Sequence, residues 1–379
     1  MELRIGLLVG AGSASVGGTG PVAASEPDGS RIATIPTGDT WQVVAAGTRL
    51  VLTNPSGWSS PPLEAITLAP VDRAAAVRVN GKSYRGLAEV LRDRTGLTVV
   101  NRLGLEAYLL GVVSAEMGRR SSTEEAALRA QAVVSRTYAL RNLGRWRAQG
   151  FDLYATVADQ VYGGVGAETA EGRAAVASTR GRVITHRGVL IDALYYSTCG
   201  GRTADGYEVF RAAVRPYLRS LPDEAPSGAV YCSISPRYRW REEWTGETLR
   251  ATLQRNLGET GVTAGQVSQV TDVRITKRTS SGRVDQLAFG IDRSEVRVNG
   301  TAIRRVLRPA NGQLLKSSAF SLGVTGAGAG VSRLTADGMG AGHGVGLCQW
   351  GAVGRARAGQ GFEQILAAYY PGTKLERRY

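Results

Sequence analysis

The feature that most constrains the fold is one long helical segment in a chain otherwise made of short strand-like runs. Between residues 105 and 141 the sequence reads LEAYLLGVVSAEMGRRSSTEEAALRAQAVVSRTYALR. Its first apolar residues recur at helical spacing, at Leu105, Leu109 and Val112. Gly118 interrupts this pattern, and a capping box then starts a second helix, either at Ser121 with Glu124 or at Ser122 with Glu125. The sequence therefore predicts two consecutive helices.

The remainder of the chain has the pattern of β-structure. Between residues 3 and 100, apolar and polar residues alternate in short runs such as RIATI, WQVVAA, RLVLT and AAVRV, which glycine, proline and asparagine separate. Further strand-like runs, RVDQLAFGI and EVRVNG, come later, before a final helix FEQILAAYY. We predict a mixed α+β fold with a β-rich N-terminal module over residues 1–100 and a second domain over residues 101–379.

Glu116 is the principal candidate for a chemical role. It is the only carboxylate in the apolar stretch LLGVVSAEM. A carboxyl group in such surroundings loses solvation of its charged form, which favours a group that both donates and accepts a proton. The alternative is an ordinary carboxylate at a helix end. Arg119 and Arg120 follow it and either hold its charged form or belong to a solvated basic loop.

The second predicted helix carries a row of polar residues on one face. Gln131, Ser135 and Tyr138 are spaced three and four residues apart, and Arg136 lies among them. Polar groups on a helix suited to burial must find partners. The row either braces the fold or lines a site, and for Gln131 and Arg136 both interpretations stay open.

The charge of the chain excludes little by itself. There are 46 basic and 32 acidic residues, for a net charge of +14, which favours polyanions such as nucleic acid, anionic membranes or cell-wall polymers. The sequence has no helix-turn-helix or RNA-binding signature, no zinc-finger spacing and no phosphate-binding glycine loop between a strand and a helix. Aromatic residues make up only 7% of the chain, which disfavours a nucleic-acid binder with interleaved stacking residues.

Seven short motifs follow one another in an order typical of a known family. They are the SAEM segment, DQVYGG (159–164), YSTCGGRT (196–203), PYLRSLPD (216–223), LKSSAF (315–320), GHGVGLCQWGA (342–352) and YYPGT (369–373). Together they resemble the SpoIID/LytB family, bacterial cell-wall proteins named for a sporulation protein and an amidase enhancer. The resemblance covers the chain from about residue 105 to the C-terminus, so it marks residues 101–379 as the SpoIID/LytB catalytic domain. It implies a catalytic helix pair packed against β-rich lobes with a substrate groove between them.

The resemblance implies a lytic transglycosylase that acts on peptidoglycan in cell-wall remodelling or sporulation. Such an enzyme cuts the β-1,4 bond between N-acetylmuramic acid and N-acetylglucosamine. Glu116 takes the role of the family's catalytic acid and base, and the substrate's own 6-hydroxyl closes a 1,6-anhydro ring. A second carboxylate is then unnecessary, in contrast to ordinary glycosidases. Asp159 and Asp223 are the other candidates, but both stand beside turn signals and are expected to hold local structure.

The resemblance also implies a set of substrate-binding residues. Ser197, Thr198 and Gly200 are expected to line the groove where a strand, IDALYY, opens into a Gly-Gly turn, although such hydroxyls often bind only backbone. The remaining candidates are Gln131, Arg136, Tyr162, His343, Gln349 and Trp350. Trp350 and Tyr162 are suited to stacking on sugars, whereas a lone histidine such as His343 is more often structural. His186 is expected at a surface hairpin near Gly188.

The three cysteines allow several arrangements. Many relatives have histidine where this chain has Tyr196, so a metal ligand of those relatives is missing. Cys199, Cys232 and Cys348 with His343 could supply three sulfurs and one nitrogen, but their spacing is not that of a compact zinc motif. A disulfide between Cys199 and Cys232 suits an extracytoplasmic protein and is the preferred interpretation, ahead of free thiols, a metal site and a cysteine nucleophile. We therefore assign no metal ligand and no cofactor.

The expected partners follow from the resemblance. They are peptidoglycan glycan strands, with no nucleic acid; if the protein is instead a noncatalytic wall-binding amidase enhancer, a wall amidase joins them. An extracytoplasmic location is expected, in the cell wall, in the cell envelope or as a secreted protein. Neither a transmembrane segment nor a clear signal peptide is visible, because IGLLVGAGSASVGG has a short apolar core and is more typical of a first strand and turn. A processed or misassigned start, or a nonstandard export route, is therefore expected.

Overall fold

The structure is a computed structural model that describes residues 1–211, 214–260, 267–326 and 330–379. Over these residues it contains 23 strands and eight α-helices, which confirms the predicted mixed α+β class. The chain divides into unit 1, Met1–Asp192 with Leu375–Tyr379, and unit 2, Ala193–Lys374. The domain boundary expected near residue 100 stays a prediction.

Unit 1 contains the strands of the N-terminal half and the first three helices. Its strands are β1 (Glu2–Ala11), β2 (Ser13–Gly18), β3 (Val22–Ser25), β4 (Arg31–Ile35), β5 (Thr40–Ala46), β6 (Arg49–Thr53), β7 (Ala65–Pro70), β8 (Val77–Val79), β9 (Lys82–Tyr84), β10 (Leu87–Arg92), β11 (Leu97–Gly104), β12 (Leu153–Tyr154), β13 (Arg182–His186) and β14 (Val189–Leu190). Its helices are α1 (Leu105–Met117), α2 (Glu125–Arg141) and α3 (Ala170–Ser178).

Two sheets form the β-rich part of unit 1. One has the strand order β12-β1-β11-β10-β7-β3-β4, and the other has the order β6-β5-β2-β8-β9. The segment read from sequence as a first strand and turn forms β1 and β2. Strand β11 is almost wholly buried and runs directly into α1, so the sheet fixes the start of that helix.

Local residues set the ends of the helix pair α1 and α2, and a glycine of α1 allows a tyrosine ring to pack against it. Helix α1 ends where Gly118 takes a φ of 69°, as its position in the sequence predicts. The amide of Ser121 donates to the Glu124 carboxylate, one half of the predicted capping box, and α2 follows at once. A Cβ atom at Gly111 would lie 2.6 Å from the Tyr162 ring, so only glycine allows that ring to pack against α1.

Unit 2 contains shorter elements. Its strands are β15 (Tyr195–Tyr196), β16 (Arg239–Thr245), β17 (Val270–Arg278), β18 (Val284–Ile291), β19 (Ser294–Asn299), β20 (Phe320–Thr325), β21 (Arg333–Met339) and β22 (Leu347–Cys348). Its helices are α4 (Gly206–Phe210), α5 (Gly246–Asn256), α6 (Ile303–Val306), α7 (Gln349–Arg357) and α8 (Phe362–Tyr369). The last strand, β23 (Lys374–Arg377), belongs to unit 1 except for its first residue, and it joins β13 and β14 there in a three-stranded sheet.

Three small sheets and an apolar cluster form unit 2. The strand orders are β15-β22, β16-β21-β20 and β17-β18-β19. Trp240, Trp244, Leu249, Phe289 and Phe320 belong to one buried apolar cluster. The strand expected over IDALYY is only two residues long, because β15 pairs with an equally short partner, β22.

None of the helices in the described residues is long and apolar enough to cross a membrane. The longest, α2, has charged residues at both ends and a string of small and polar side chains between them.

Candidate functional site

Glu116 lies in the last turn of α1 and is only partly exposed. Its Oε1 atom accepts a hydrogen bond of 2.8 Å from the backbone N–H of Val161. A backbone donor is fixed by the fold, so it holds the carboxylate in one orientation more firmly than a mobile side chain would. The structure therefore contains the helix-end glutamate predicted from sequence, together with an orienting contact that the sequence did not indicate.

Residues of the DQVYGG motif hydrogen-bond to four parts of unit 1, namely α1, α2, the loop after α2 and β11. The Asp159 carboxylate binds residues of α2 and of the loop after it, and Tyr108 of α1 donates to the Gln160 side chain at 3.4 Å. Val161 donates to Glu116, and the Tyr162 hydroxyl donates to Asn101 Oδ1 of β11 at 3.0 Å. Successive residues of the motif thus hold different elements, which positions the Val161 N–H.

Asp159 holds structure, as the turn signals predicted. Its Oδ1 accepts from the Tyr138 hydroxyl at 3.0 Å and from Arg145 at 3.1 Å. Its Oδ2 accepts from Trp146 Nε1 and from the Tyr154 backbone, each at 2.8 Å. Four donors bind the two oxygens of this fully buried carboxylate, so none of its lone pairs points to solvent.

The polar row of α2 is buried. Gln131 and Ser135 are fully buried and hydrogen-bond to each other at 3.0 Å. Arg136 is also fully buried and forms a bidentate ion pair with Glu106, at 2.7 and 2.8 Å. Its guanidinium further binds the carbonyl of Arg182 at 3.2 Å. These contacts brace the two helices against their neighbours.

Tyr162 also lies in the interior of unit 1. Its ring packs against Tyr84 and Tyr108, with centroid distances of 5.6 and 5.0 Å, and only 5% of the residue is exposed. Burial, followed by the influence of Tyr84 and Glu168, raises the pKa of its hydroxyl well above the ordinary value. The hydroxyl is therefore a neutral donor to Asn101.

In unit 2 the structure brings the YSTCGGRT and GHGVGLCQWGA motifs together. Strands β15 and β22 pair in parallel, and Thr198 pairs with Ala341. The Trp350 backbone N–H donates to the Ser197 carbonyl at 3.0 Å. Gly200 and Gly201 follow with φ values of 83° and 118°, so the predicted Gly-Gly turn is present.

The candidate residues of these motifs differ in exposure. Ser197 and Trp350 are partly exposed, whereas Thr198, Gly200 and Gln349 are buried. The Thr198 hydroxyl is hydrogen-bonded to Ser235 at 2.8 Å, and Ser197 lies 3.2 Å from Thr198. The structure thus gathers the predicted residues but buries several of their side chains.

His343 has backbone partners on both ring nitrogens. Nε2 lies 2.9 Å from the Tyr195 carbonyl, and Nδ1 accepts from the Val345 N–H at 3.1 Å. These partners fit the neutral tautomer with the proton on Nε2. Burial lowers the pKa of His343 to about 4; the contact with the Tyr195 carbonyl raises it and nearby Arg304 and Arg283 lower it, each by less than burial does.

His186 lies where the sequence predicted, whereas the cysteines do not form the predicted disulfide. His186 lies in the β13–β14 hairpin beside Gly188, as predicted. The cysteines are all free, so the expected disulfide between Cys199 and Cys232 is not formed. Their sulfurs are 3.3 Å apart, far beyond the length of about 2.05 Å of a disulfide bond.

The three thiols lie together beside a buried carboxylate that the sequence did not place with them. Cys199, Cys232 and Cys348 lie beside Asp223, and one ligand atom of each falls within 4.8 Å of the others. Hydrogen bonds from the other two thiols lower the pKa of Cys232 well below its ordinary range, whereas burial raises the pKa values of Cys199 and Cys348 well above it. Asp223, which sequence reasoning gave a local role, is 24 residues from Cys199 and 125 from Cys348, so spacing alone did not reveal the group.

Known proteins resemble this chain over much of its length. A family model described as "SpoIID: Stage II sporulation protein" matches residues 93–186, and one described as a domain of unknown function matches residues 230–346. An uncharacterised protein of Brachyspira hyodysenteriae is 30% identical over 298 residues, which are 78% of this chain and 73% of that protein.

Two relatives from Bacillus subtilis have informative names. The stage II sporulation protein D is 28% identical over 74% of this chain and 77% of that protein. The amidase enhancer is 28% identical over 70% of this chain but only 40% of its own length. The matched model, the relatives and the ordered motifs agree, and the chain belongs to the SpoIID family.

Proposed function

We propose that this protein is a peptidoglycan lytic transglycosylase in which Glu116 is the catalytic acid and base, acting in cell-wall remodelling or sporulation. The observation that carries the proposal is the position of Glu116 at the end of α1, partly exposed and oriented by the Val161 N–H. The names of its relatives, a sporulation protein and an amidase enhancer, support a substrate in the cell wall.

The proposed reaction begins with a protonated Glu116. It donates its proton to the glycosidic oxygen while the bond to the anomeric carbon of N-acetylmuramic acid breaks, with an oxocarbenium-like transition state. The N-acetylglucosamine end leaves with that proton as a free hydroxyl. The Glu116 carboxylate then accepts the proton of the muramic acid 6-hydroxyl, whose oxygen bonds to the anomeric carbon and closes the 1,6-anhydro ring.

The Val161 N–H has a distinct part in this sequence. It binds Oε1 and so restricts the orientation of the carboxyl group. The same carboxyl must reach two oxygens of the sugar in turn, and a fixed orientation lowers the entropic barrier for both steps. This gives the DQVYGG motif a role in positioning the catalytic group.

The buried state of the Asp159 carboxylate supports a substrate nucleophile. Ordinary glycosidases use a second carboxylate, about 5 to 9.5 Å from the first, to attack the sugar or activate water. Asp159 is buried and its oxygens accept four hydrogen bonds from the protein. Closure by the 6-hydroxyl needs no such group.

The residues expected to bind substrate divide by exposure. We propose that the glycan contacts the face of the helix pair that carries Glu116, and that the partly exposed Ser197 and Trp350 contact sugar. Buried residues of the same set support those surfaces from within: Gln131, Arg136, Tyr162, Thr198, Gly200 and Gln349. His343 is partly exposed, but both of its ring nitrogens bind backbone groups, so we propose the same supporting role for it. We further propose that the protein acts outside the cytoplasm, where its substrate is found.

The second candidate function is a noncatalytic wall binder that enhances an amidase. The similarity to the B. subtilis amidase enhancer favours it, and a net charge of +14 suits attachment to anionic wall polymers. Its expected partner is a wall amidase. Under this alternative Glu116 has no chemical role, and its replacement leaves the stimulation of an amidase unchanged.

Mass spectrometry of glycan strands distinguishes the two candidates. Purified strands, with and without stem peptides, are incubated with the parent protein, with Glu116→Gln and with Glu171→Gln as control. Glu171 is an exposed glutamate in the first turn of α3. We expect anhydromuramic ends from the parent and the control alone. Hydrated reducing ends would show hydrolysis, and no cleavage of either substrate would favour the wall binder.

A further inference from the structure

We propose that Cys199, Asp223, Cys232 and Cys348 form a closed tetrahedral zinc site. Each supplies one ligand atom, and the four atoms lie within 4.8 Å of one another. Cys199 Sγ is 3.3 Å from Cys232 Sγ and 3.2 Å from Asp223 Oδ2. Around zinc, with bonds of about 2.3 Å to sulfur and about 2.0 Å to oxygen, tetrahedral ligands are separated by roughly 3.5 to 3.8 Å. The two shortest contacts lie a few tenths of an ångström below this range and all pairs lie within 4.8 Å, so small movements of the side chains would give the tetrahedral arrangement.

The donor set and its burial select the kind of metal. Three thiolates and one carboxylate suit zinc and not magnesium or calcium, which require oxygen ligands. All four residues are buried, with exposed fractions of 0 to 2%. Such a site has no position open to substrate or bulk water, which is the character of a structural metal site.

Asp223 is prepared to give one oxygen to a metal. Its Oδ1 accepts from the Tyr369 hydroxyl at 2.7 Å and from Arg355 Nε at 3.1 Å, whereas Oδ2 lies toward Cys199. A Cβ atom at Gly351 would be 2.2 Å from Oδ2, so glycine makes room for this oxygen. Outer partners that hold a ligating carboxylate in this way are typical of metal sites.

Backbone N–H groups converge on the sulfurs. Cys348 Sγ accepts from the amides of Cys199 and Gly351, at 3.1 and 3.2 Å. Cys199 Sγ accepts from the Gly201 amide at 3.3 Å. Cys348 also caps the N-terminus of α7. These donors stabilise negative sulfur, the form in which cysteine binds metals.

The charges around the group also favour a divalent cation. Three thiolates and a carboxylate have four negative charges, which is too costly to bury without compensation. Arg355 binds Asp223, and the fully buried Arg283 donates to the Cys199 carbonyl at 3.2 Å. Two guanidinium groups and one zinc ion balance the four negative charges.

The metal would join three stretches of the chain that are distant in sequence. Cys199 and Cys348 are separated by 149 residues, and Asp223 and Cys232 lie at the two ends of one short segment whose flanking residues Glu224 and Val230 pair. Cross-linking such segments restricts the unfolded chain and couples metal binding to folding. The site would therefore hold the YSTCGGRT and GHGVGLCQWGA motifs in place, whether or not the protein cuts glycan.

The test uses the full-length protein, purified without chelator from cells supplied with zinc. Elemental analysis is expected to give one zinc per chain. After denaturation in chelator without reductant, three thiols per chain are expected to react with a thiol reagent. One thiol and no metal would mean a disulfide and would overturn the proposal. Three thiols per chain without zinc, even after zinc is added to the native protein, would also overturn it. One iron per chain in place of zinc would do the same.

Cobalt exchange and matched variants examine the ligands themselves. The cobalt-loaded protein is expected to show thiolate-to-metal charge-transfer bands and the visible bands of tetrahedral cobalt. Asp223→Asn and Cys232→Ser should weaken zinc binding at least ~10-fold, the scale of lost site partners. Asp223→Cys should retain one zinc with a shifted cobalt spectrum. The control is Asp337→Asn, an exposed carboxylate paired with Arg241, and it should bind normally.

Discussion

Glu116 and Asp223 are two carboxylates that the fold holds in opposite ways. Glu116 is partly exposed at the end of α1, and one backbone N–H orients it. Asp223 is fully buried, and Tyr369, Arg355 and Cys199 all donate to it. A carboxylate that must exchange protons with a substrate needs access and a fixed direction. A carboxylate that joins separate segments needs a hydrogen-bond donor for each of its lone pairs. We therefore expect replacement of Glu116 to lower activity and replacement of Asp223 to lower stability.

The largest loss of stability is expected for Asp223→Ala. Removing this carboxylate leaves Arg355, whose side chain is only 11% exposed, without its ionic partner. Breaking a buried pair in this way costs about 3 to 5 kcal/mol of the free energy of unfolding, and we expect the lower end because Arg355 also lies over the Tyr231 ring. Denaturant unfolding with chelator present measures the effect without any contribution from metal.

The control for this variant is Asp337→Ala. Its ion pair with Arg241 is exposed, so the loss should be under about 1 kcal/mol. Equal losses in the free energy of unfolding for the two variants would show that burial does not increase the contribution of Asp223 to stability.

A somewhat smaller effect is expected from acid, through His343. Its pKa is about 4 in the folded protein, against 6.5 for an ordinary histidine, because the buried ring favours the neutral form. Between pH 6.5 and 4, His343 therefore binds a proton in the unfolded chain but not in the folded chain. This contribution to stability is complete above pH 6.5 and falls by about 3 kcal/mol as the pH approaches 4.

The measurement compares unfolding at several pH values for the parent, His343→Gln and His186→Gln. The slope assigned to His343 should disappear in the first variant and persist in the second, because His186 lies in a partly exposed hairpin. A slope unchanged in His343→Gln would contradict the assignment.

An intermediate effect is expected for Gly111→Ala, which tests the support of Glu116. The added methyl group would lie 2.6 Å from the Tyr162 ring and 2.9 Å from the Gly164 carbonyl. Overpacking of this kind costs about 1 to 3 kcal/mol. Movement of Tyr162 would also displace its neighbour Val161, so glycan cleavage should fall more than stability alone explains.

Gly166→Ala provides the matched control, because nothing lies within 4 Å of a Cβ atom at that position. Stability and cleavage should stay close to those of the parent. If Gly111→Ala lost stability but kept full cleavage, the packing of Tyr162 would have no part in positioning Glu116.

The predictable features of this chain are the local ones. Gly118 ends α1 and Ser121 begins the next helical region where the sequence indicated, because capping depends on neighbouring residues. Glu116 was recognisable from its apolar neighbours. The Val161 donor was not, because every residue except proline has a backbone N–H and only the fold determines where it lies.

Burial was the second limit on prediction. Arg136 and Tyr162 have side chains that suit a glycan site, yet both lie in the interior and bind protein groups. Among the arrangements open to the cysteines, the sequence offered His343 as a fourth metal ligand, whereas the side chain that lies beside the three thiols is Asp223. These choices depend on contacts between residues far apart in the chain.

The most direct measurement is the rate of anhydromuramic end formation by Glu116→Gln, with its free energy of unfolding determined on the same sample. The change is nearly isosteric, so stability should alter by less than about 1 kcal/mol. Cleavage should fall by about 100-fold or more, because the amide cannot transfer the proton. Cleavage at the parent rate by a fully folded variant would contradict the assignment of Glu116 as the acid and base.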